Sequence, residues 1–181
     1  MRHYYYTVAA LETIRLEEKV PISEAKFLQF AEDTLNAKDY QVLLKSRLGL
    51  TEPTGLSFAD RILSWEKELR LELAKARILK LQFDPPQVLP ASDGQDVLLE
   101  KVRAALALDS PLDAECFLDR LRWSFIEDMG ACHFFDLEAL VVYYFKLQIA
   151  LRQEKFQKEL GKDSFEKAYA AVTESFNITT L

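Results

Sequence analysis

Glycine is scarce in this chain, with five in 181 residues at positions 49, 55, 94, 130 and 161. Loops that cradle phosphate need clustered glycines, so that backbone N–H groups can approach the anion closely. Neither G-x-G-x-x-G nor G-x-x-x-x-G-K-[ST] occurs, and the G-x-S-x-G turn that presents a nucleophilic serine is missing too. Cysteine and histidine are scarcer still: Cys116 and Cys132, His3 and His133. Small secreted scaffolds use more cysteines in less chain, so this usage points to a reducing compartment and a cytoplasmic protein. Long apolar runs are also lacking. In the most apolar region the unbroken run is Ala139 to Phe145, bracketed by Glu138 and Lys146. A membrane span needs about 20 such residues, so no spanning helix is expected. Behind Arg2, the short apolar opening meets Glu12, Arg15, Glu17, Glu18 and Lys19 too soon for a usual signal-peptide cleavage region.

What is present is the composition of an ordinary globular protein, 49% apolar and 29% charged. A chain of this length can bury roughly 70% of its unfolded surface and needs no disulfide or metal staple. The net charge of −6 repels phosphate backbones, so nucleic acid is not an expected partner. The best local basic patch is Lys67, Arg70, Lys75, Arg77 and Lys80. These alternate with Glu66, Glu68 and Glu72, which reads as a solvated, ion-paired helix face.

The glycines, and the prolines at 21, 53, 85, 86, 90 and 111, fall between stretches of helical periodicity or in a first turn. Breakers confined to boundaries suit a helical protein, since Gly costs about 1 and Pro about 3 kcal/mol inside a helix. The spacing predicts a first helix from Tyr4 to about Glu18, although "YYYTV" is β-prone and also fits an extended start, and a second helix capped by Ser23 with Phe27, Leu28, Phe30 and Ala31 inward. After a break at Asn36 comes a short helix from Ala37 to about Leu48, stopped by Gly49. A long helix capped by Ser57 runs to about Leu81, with Phe58, Ile62, Trp65, Leu69, Leu73 and Ala76 as its stripe. The Pro-rich excursion at 82–95 follows. Further helices run from Asp96 to about Leu108, with Val97, Leu98, Val102, Ala105 and Leu106 inward, and from the Asp109/Ser110 cap and Pro111 to Gly130. The next spans 136–160 between an Asp136 cap and Gly161, and a last helix starts at Asp163 or Ser164, with Phe165, Ala168, Tyr169 and Val172 inward. The helix over 136–160 forms the core. Leu137, Leu140, Val141, Tyr144, Leu147 and Leu151 make one stripe, and Val142, Phe145, Ile149 and Phe156 another.

Candidate chemistry is thin. Cys116, Cys132 and His133 form the only Cys/His group, without an obvious fourth zinc ligand or a placed base for a thiol nucleophile. They read more simply as two buried thiols and a loop histidine. Neighbouring carboxylates such as Glu127 and Asp128 read as solvated. Tyr4, Tyr5 and Tyr6 suit packing or a partner contact, since tyrosine favours interfaces.

Two stretches carry a family resemblance. "YYYTVAALETIRLEEKVPIS" (4–23) resembles the N-terminus of a bacterial family encoded within operons for the V-type (archaeal-type) ATPase. "LEALVVYYFKLQIALRQEKFQKELGKDSFE" (137–166) resembles that family's C-terminal region. Both are more distantly similar to the all-helical C (or d) subunit, which couples rotor ring to central shaft. This chain is only about half as long as expected for that subunit, and 82–95 has no counterpart. The resemblance covers over a quarter of the chain. It implies a helical protein associated with a V-type ATPase as stalk-like component, assembly factor or regulator, and it transfers no catalytic residue.

The sequence therefore predicts an all-α bundle of about seven helices in one domain over 1–181, divisible at 82–95 into halves 1–81 and 96–181. The expected role is non-enzymatic, without cofactor or metal, through protein–protein contact. The candidate docking surface is the polar half of the final-third helix, around Lys146, Arg152 and Lys155, with Tyr4, Tyr5 and Tyr6 nearby. A helical scaffold with no ATPase link, or a small enzyme using Cys132 and His133, are the rival readings.

Overall fold

A computed structural model describes residues 3–50, 52–80, 96–156 and 169. Among these are seven α-helices and no strand: α1 (Tyr5–Ala9), α2 (Glu24–Thr34), α3 (Ala37–Lys45), α4 (Ser57–Lys80), α5 (Asp96–Leu106), α6 (Pro111–Gly130) and α7 (Leu137–Glu154). The protein is all-α, as its periodicity predicts. The Pro-rich stretch at 82–95 lies outside the described residues, and so does the helix expected from 163 or 164 except for Tyr169, which is helical and, contrary to the inward position expected, 65% exposed.

Side-chain caps set most helix starts. Ser23 Oγ accepts from the Lys26 N–H at 3.4 Å, and Asn36 Oδ1 accepts from Lys38 and Asp39, both at 3.1 Å. Ser110 Oγ accepts from Asp113 at 3.3 Å with Pro111 just inside the helix, and Asp136 Oδ1 accepts from Ala139 at 3.0 Å. Each cap satisfies an N–H that the helix itself cannot. Asn36 is thus both the break after α2 and the start of α3. Ser57 is not a cap but the first residue of α4, where Thr54 and Asp60 organise the entry: Asp60 Oδ1 accepts from both the N–H and the hydroxyl of Thr54 at 2.8 Å.

The first helix is much shorter than expected. It stops at Ala9, and the chain continues irregularly to Ser23, with Glu17 at φ 68°. Ile14 is buried, and Leu11, Leu16, Val20 and Ile22 pack against the core. Their spacing follows no helical stripe, so only irregular backbone turns all of them inward. This segment runs alongside α7, from the Tyr4 N–H on Phe135 O to the Val20 N–H on Glu154 Oε1 (2.8 Å).

Two apolar cores result. The larger gathers Phe27 and Ala31 of α2, Leu43 of α3, Phe58, Ala59, Ile62 and Leu63 of α4, Trp123 and Ile126 of α6, and most of α7 from Leu140 to Ala150. Tyr144, Phe145 and Leu147 are fully enclosed there, each worth about 2 kcal/mol of gross burial. The smaller core joins Leu69 and Leu73 of α4, Leu98, Val102 and Ala105 of α5, and Leu118 of α6. Both cores draw on segments from either side of 82–95. Val97, expected inside, is 63% exposed. Helix α7 ends at Glu154 with Lys155 as its C-cap, short of Gly161, which lies outside the described residues. No helix among the described residues is long and apolar enough to cross a membrane.

Candidate functional site

Two surfaces stand out, one apolar and one charged. The apolar one lies where α1 meets the loop before α7. The Tyr4 N–H donates to Phe135 O, which pins the tyrosine-rich start to that loop. Tyr4 itself turns inward, its hydroxyl bonded to Asp39 and Asn36 at the start of α3. Tyr5 and Tyr6 turn outward, 53% and 87% exposed, and so do Phe134 (65%) and Phe135 (41%). The Tyr5 ring lies 4.6 Å from that of Phe135 and 5.6 Å from that of Tyr6. Exposed aromatic side chains that touch one another are the composition expected at a partner contact, not at an ordinary surface. The two phenylalanines could have been found in the sequence, because "HFFD" places consecutive aromatics in a loop beside a helix cap.

The basic residues of α7 do not join this patch. Phe135 and Asp136 lie at the N-terminal end of the helix, whereas Arg152 and Lys155 lie at the other, about 25 Å away at 1.5 Å per residue. Lys146 is largely enclosed, 2.8 Å from Glu127 Oε1 and 4.8 Å over the Trp123 ring. Arg152 pairs with Glu115 and, at 3.3 Å, with Asp119. Of the three, only Lys155 is exposed. The expected single surface of tyrosines and α7 cations is therefore two separate regions.

The charged feature sits at the seam between the cores. On α4, Glu66 falls between Ile62 and Leu63, which face the larger core, and Leu69, which faces the smaller. On α6, Asp119 and Arg122 fall between Leu118 and Trp123 in the same way. Arg122 donates to Glu66 Oε2 at 2.8 Å and to Asp119 Oδ1 at 3.0 Å, and Arg70 donates to Glu66 Oε1 at 2.7 Å. The side chains of Glu66, Asp119 and Arg122 are 3%, 0% and 6% exposed. A cleft of about 180 Å³ opens beside them, walled also by Arg70, Gln148 and Arg152. The solvated face expected on α4 is corrected here. Arg70 and Lys75 do pair with Glu66 and Glu72, but both glutamates are buried because they lie on the inward stripe.

The Cys/His group does not assemble. Cys116 lies in mid-α6 and Cys132 beyond its end, more than about 20 Å apart by helix rise. Neither is the buried thiol expected: Cys132 is exposed and Cys116 partly so. Burial and the nearby Asp119 push the Cys116 thiol up, away from the reactive thiolate. His133 Nδ1 is instead 2.6 Å from Asp136 Oδ2. His133, Asp136 and Glu138 bring ligand atoms within 4.8 Å of one another. However, Asp136 already caps α7, and a helix N-terminus opposes a cation.

Comparison with known families gives one match. A family model described as "Protein of unknown function (DUF2764)" matches residues 51–174. The chain belongs to the DUF2764 family. No curated protein and no solved structure matches it. The region matched in this DUF2764 chain holds the charged seam, Phe134 and Phe135, and begins after the tyrosines.

Electrostatics of the DUF2764 seam follow from its burial. Removal from water pushes the Asp119 carboxyl up, against the pull of the Arg152 and Arg122 guanidiniums. Desolvation works against the Arg122 charge, but Glu66 and Asp119 outweigh it and hold the guanidinium above its ordinary value. Asp119 Oδ2 has no hydrogen-bond partner. The cleft is lined by carboxylates, guanidiniums, an amide and aliphatic carbons, and not by thiol, hydroxyl or imidazole. Such a set can hold a polar group.

Proposed function

We propose that this DUF2764 protein is a non-catalytic adaptor that docks through the aromatic patch of Tyr5, Tyr6, Phe134 and Phe135, and that its partner is the soluble or stalk part of a V-type ATPase. The role is that of a stalk-like component, an assembly factor or a regulator. The observation that carries the docking reading is the exposed cluster of Tyr5, Tyr6 and Phe135 at one end of α7, with exposed Phe134 next to it in the chain. Aromatic anchors supply most of the binding energy at many interfaces and bury large area at low entropic cost. What supports the choice of partner is the resemblance of 4–23 and 137–166 to proteins encoded beside that ATPase.

The test is co-purification of the tagged full chain with the ATPase's soluble portion under mild conditions. The wild type is compared with Tyr6→Ser and Phe134→Ser. Both substitutions fall on exposed side chains, so the fold should survive. Retention by the wild type and loss by both variants is the expected result. If the wild type is not retained, the partner is wrong and a scaffold unrelated to the ATPase is favoured. If retention is insensitive to the variants, the surface is wrong.

A further inference from the structure

The cleft at the seam leaves one polar atom that packing does not explain. Asp119 has no exposed surface and lines the cleft. Its Oδ1 accepts from Arg122 and lies 3.3 Å from Arg152 Nη1, but its Oδ2 accepts from nothing. A buried carboxylate oxygen left this way carries its full desolvation penalty. Around it, donors are in surplus. A guanidinium has five N–H groups, and among the described residues Arg70 engages a carboxylate through Nε alone, while Arg122 engages its two through Nε and Nη1. Charge is in surplus with the same sign. Of the charged residues that line the cleft, Arg70, Arg122 and Arg152 are set against Glu66 and Asp119, three positive charges against two negative, which leaves one positive.

An occupant that completes the site must offer acceptors to the guanidiniums, an O–H donor to Asp119 Oδ2 and a negative charge, in about 180 Å³. Water meets the first two needs and not the third. Sulfate meets the first and third and not the second. A protonated phosphate meets all three. We propose that the cleft binds a phosphate group, as the free anion or as a monoester. Its P–OH donates to Asp119 Oδ2, and its remaining oxygens accept from Arg70, Arg122 and Arg152. Arginine suits this role because its planar fork matches phosphate geometry.

Thermal melting of the full chain tests this, with inorganic phosphate, glycerol phosphate and sulfate each titrated against chloride at constant ionic strength. Phosphate should raise Tm saturably. Sulfate, fully deprotonated at neutral pH, should do so far more weakly. Arg152→Gln, at the partly exposed rim, should weaken phosphate binding about tenfold or more through loss of a charged hydrogen bond. Asp119→Asn should erase the preference for phosphate over sulfate, because the new amide can donate where the carboxylate could only accept. An ester that binds at least as well as inorganic phosphate identifies a phosphorylated molecule as the source. Binding of inorganic phosphate alone identifies the free anion. The proposal is overturned if neither gives a saturable shift, if sulfate matches phosphate in the wild type, or if Arg152→Gln changes nothing.

Discussion

Replacing Arg122 by Met tests the ionic seam most directly. Met keeps an unbranched apolar stem but not the guanidinium, and leaves Glu66 Oε2 and Asp119 Oδ1 without their nearest donor. Breaking a buried pair by removing one partner costs about 3–5 kcal/mol, because the remaining charge stays desolvated. Here Arg70 still holds the other oxygen of Glu66 and Arg152 still reaches Asp119, which puts the expectation at about 3 kcal/mol. Against a typical total of 5–15 kcal/mol, that is a large share of the fold. The assay is urea unfolding followed by tryptophan fluorescence, because Trp123 lies beside Arg122 in the larger core. The midpoint should fall with little change in slope.

The pH dependence sharpens this test. Burial raises the Asp119 carboxyl, and Arg152 and Arg122 hold it back. Without Arg122 it rises further. The folded variant then keeps a proton at pH values where the unfolded chain, near the ordinary value of about 3.9, has released it. Stability is lost as pH rises through the folded value, so the deficit against wild type should be greatest at neutral pH and should shrink toward acid. A deficit below about 1 kcal/mol, typical of an exposed pair, would refute the burial argument. A deficit that does not vary with pH would refute the electrostatic one.

Two further substitutions probe how α6 hands over to α7. A Cβ added at Gly130 would lie 2.9 Å from Val142 Cγ2 and 3.2 Å from Cγ1, so Gly130→Ala should destabilise by about 1–3 kcal/mol in urea unfolding, and adding Val142→Ala should recover part of the loss. Asp136→Ala removes the α7 cap and the contact to His133, and should cost about 0.5–2 kcal/mol with faster amide exchange at Ala139.

Helix existence was legible in the sequence because caps and breakers agree with periodicity from Ser23 onward. The α7 stripes were legible for the same reason, and Leu140, Val141, Tyr144, Phe145, Leu147 and Ile149 are all buried. The first segment misled because a helix-compatible composition hides the fact that Leu11, Ile14, Leu16 and Val20 reach the core only from irregular backbone. Tyr4, Tyr5 and Tyr6 were visible as a group, but not that Tyr4 turns inward while Phe134 and Phe135 complete the outward patch. That division depends on contacts from the start of the chain to the entry of α7. The seam was half legible. Glu66 sits four residues after Ile62 and three before Leu69, and Arg122 sits four after Leu118 and four before Ile126, so both occupy stripe positions. An acid on one apolar stripe and a base on another signal a buried pair. Abundant neighbouring Lys and Arg made Glu66 look solvated instead.

The position of the seam suggests what it contributes. Apolar stripes on α4 and α6 would tolerate a slip by one helical turn, since Leu, Ile and Phe side chains exchange places at modest cost. The ionic layer would not. A slip by four residues would place Leu118 or Ile126 of α6 opposite Glu66 and strand a buried carboxylate. The layer therefore penalises wrong registers more than it stabilises the right one, which is the best-attested use of buried charge. The combined variant Glu66→Leu, Asp119→Leu, Arg122→Met separates these roles. It should unfold within a few kcal/mol of wild type, or above it, because apolar replacement of a buried charged group is often neutral or stabilising by about 1–4 kcal/mol. Its amide spectrum should nonetheless broaden or double as α4 and α6 sample neighbouring registers. A single sharp set of signals would show that the apolar stripes already fix the register and that the seam serves the cleft alone.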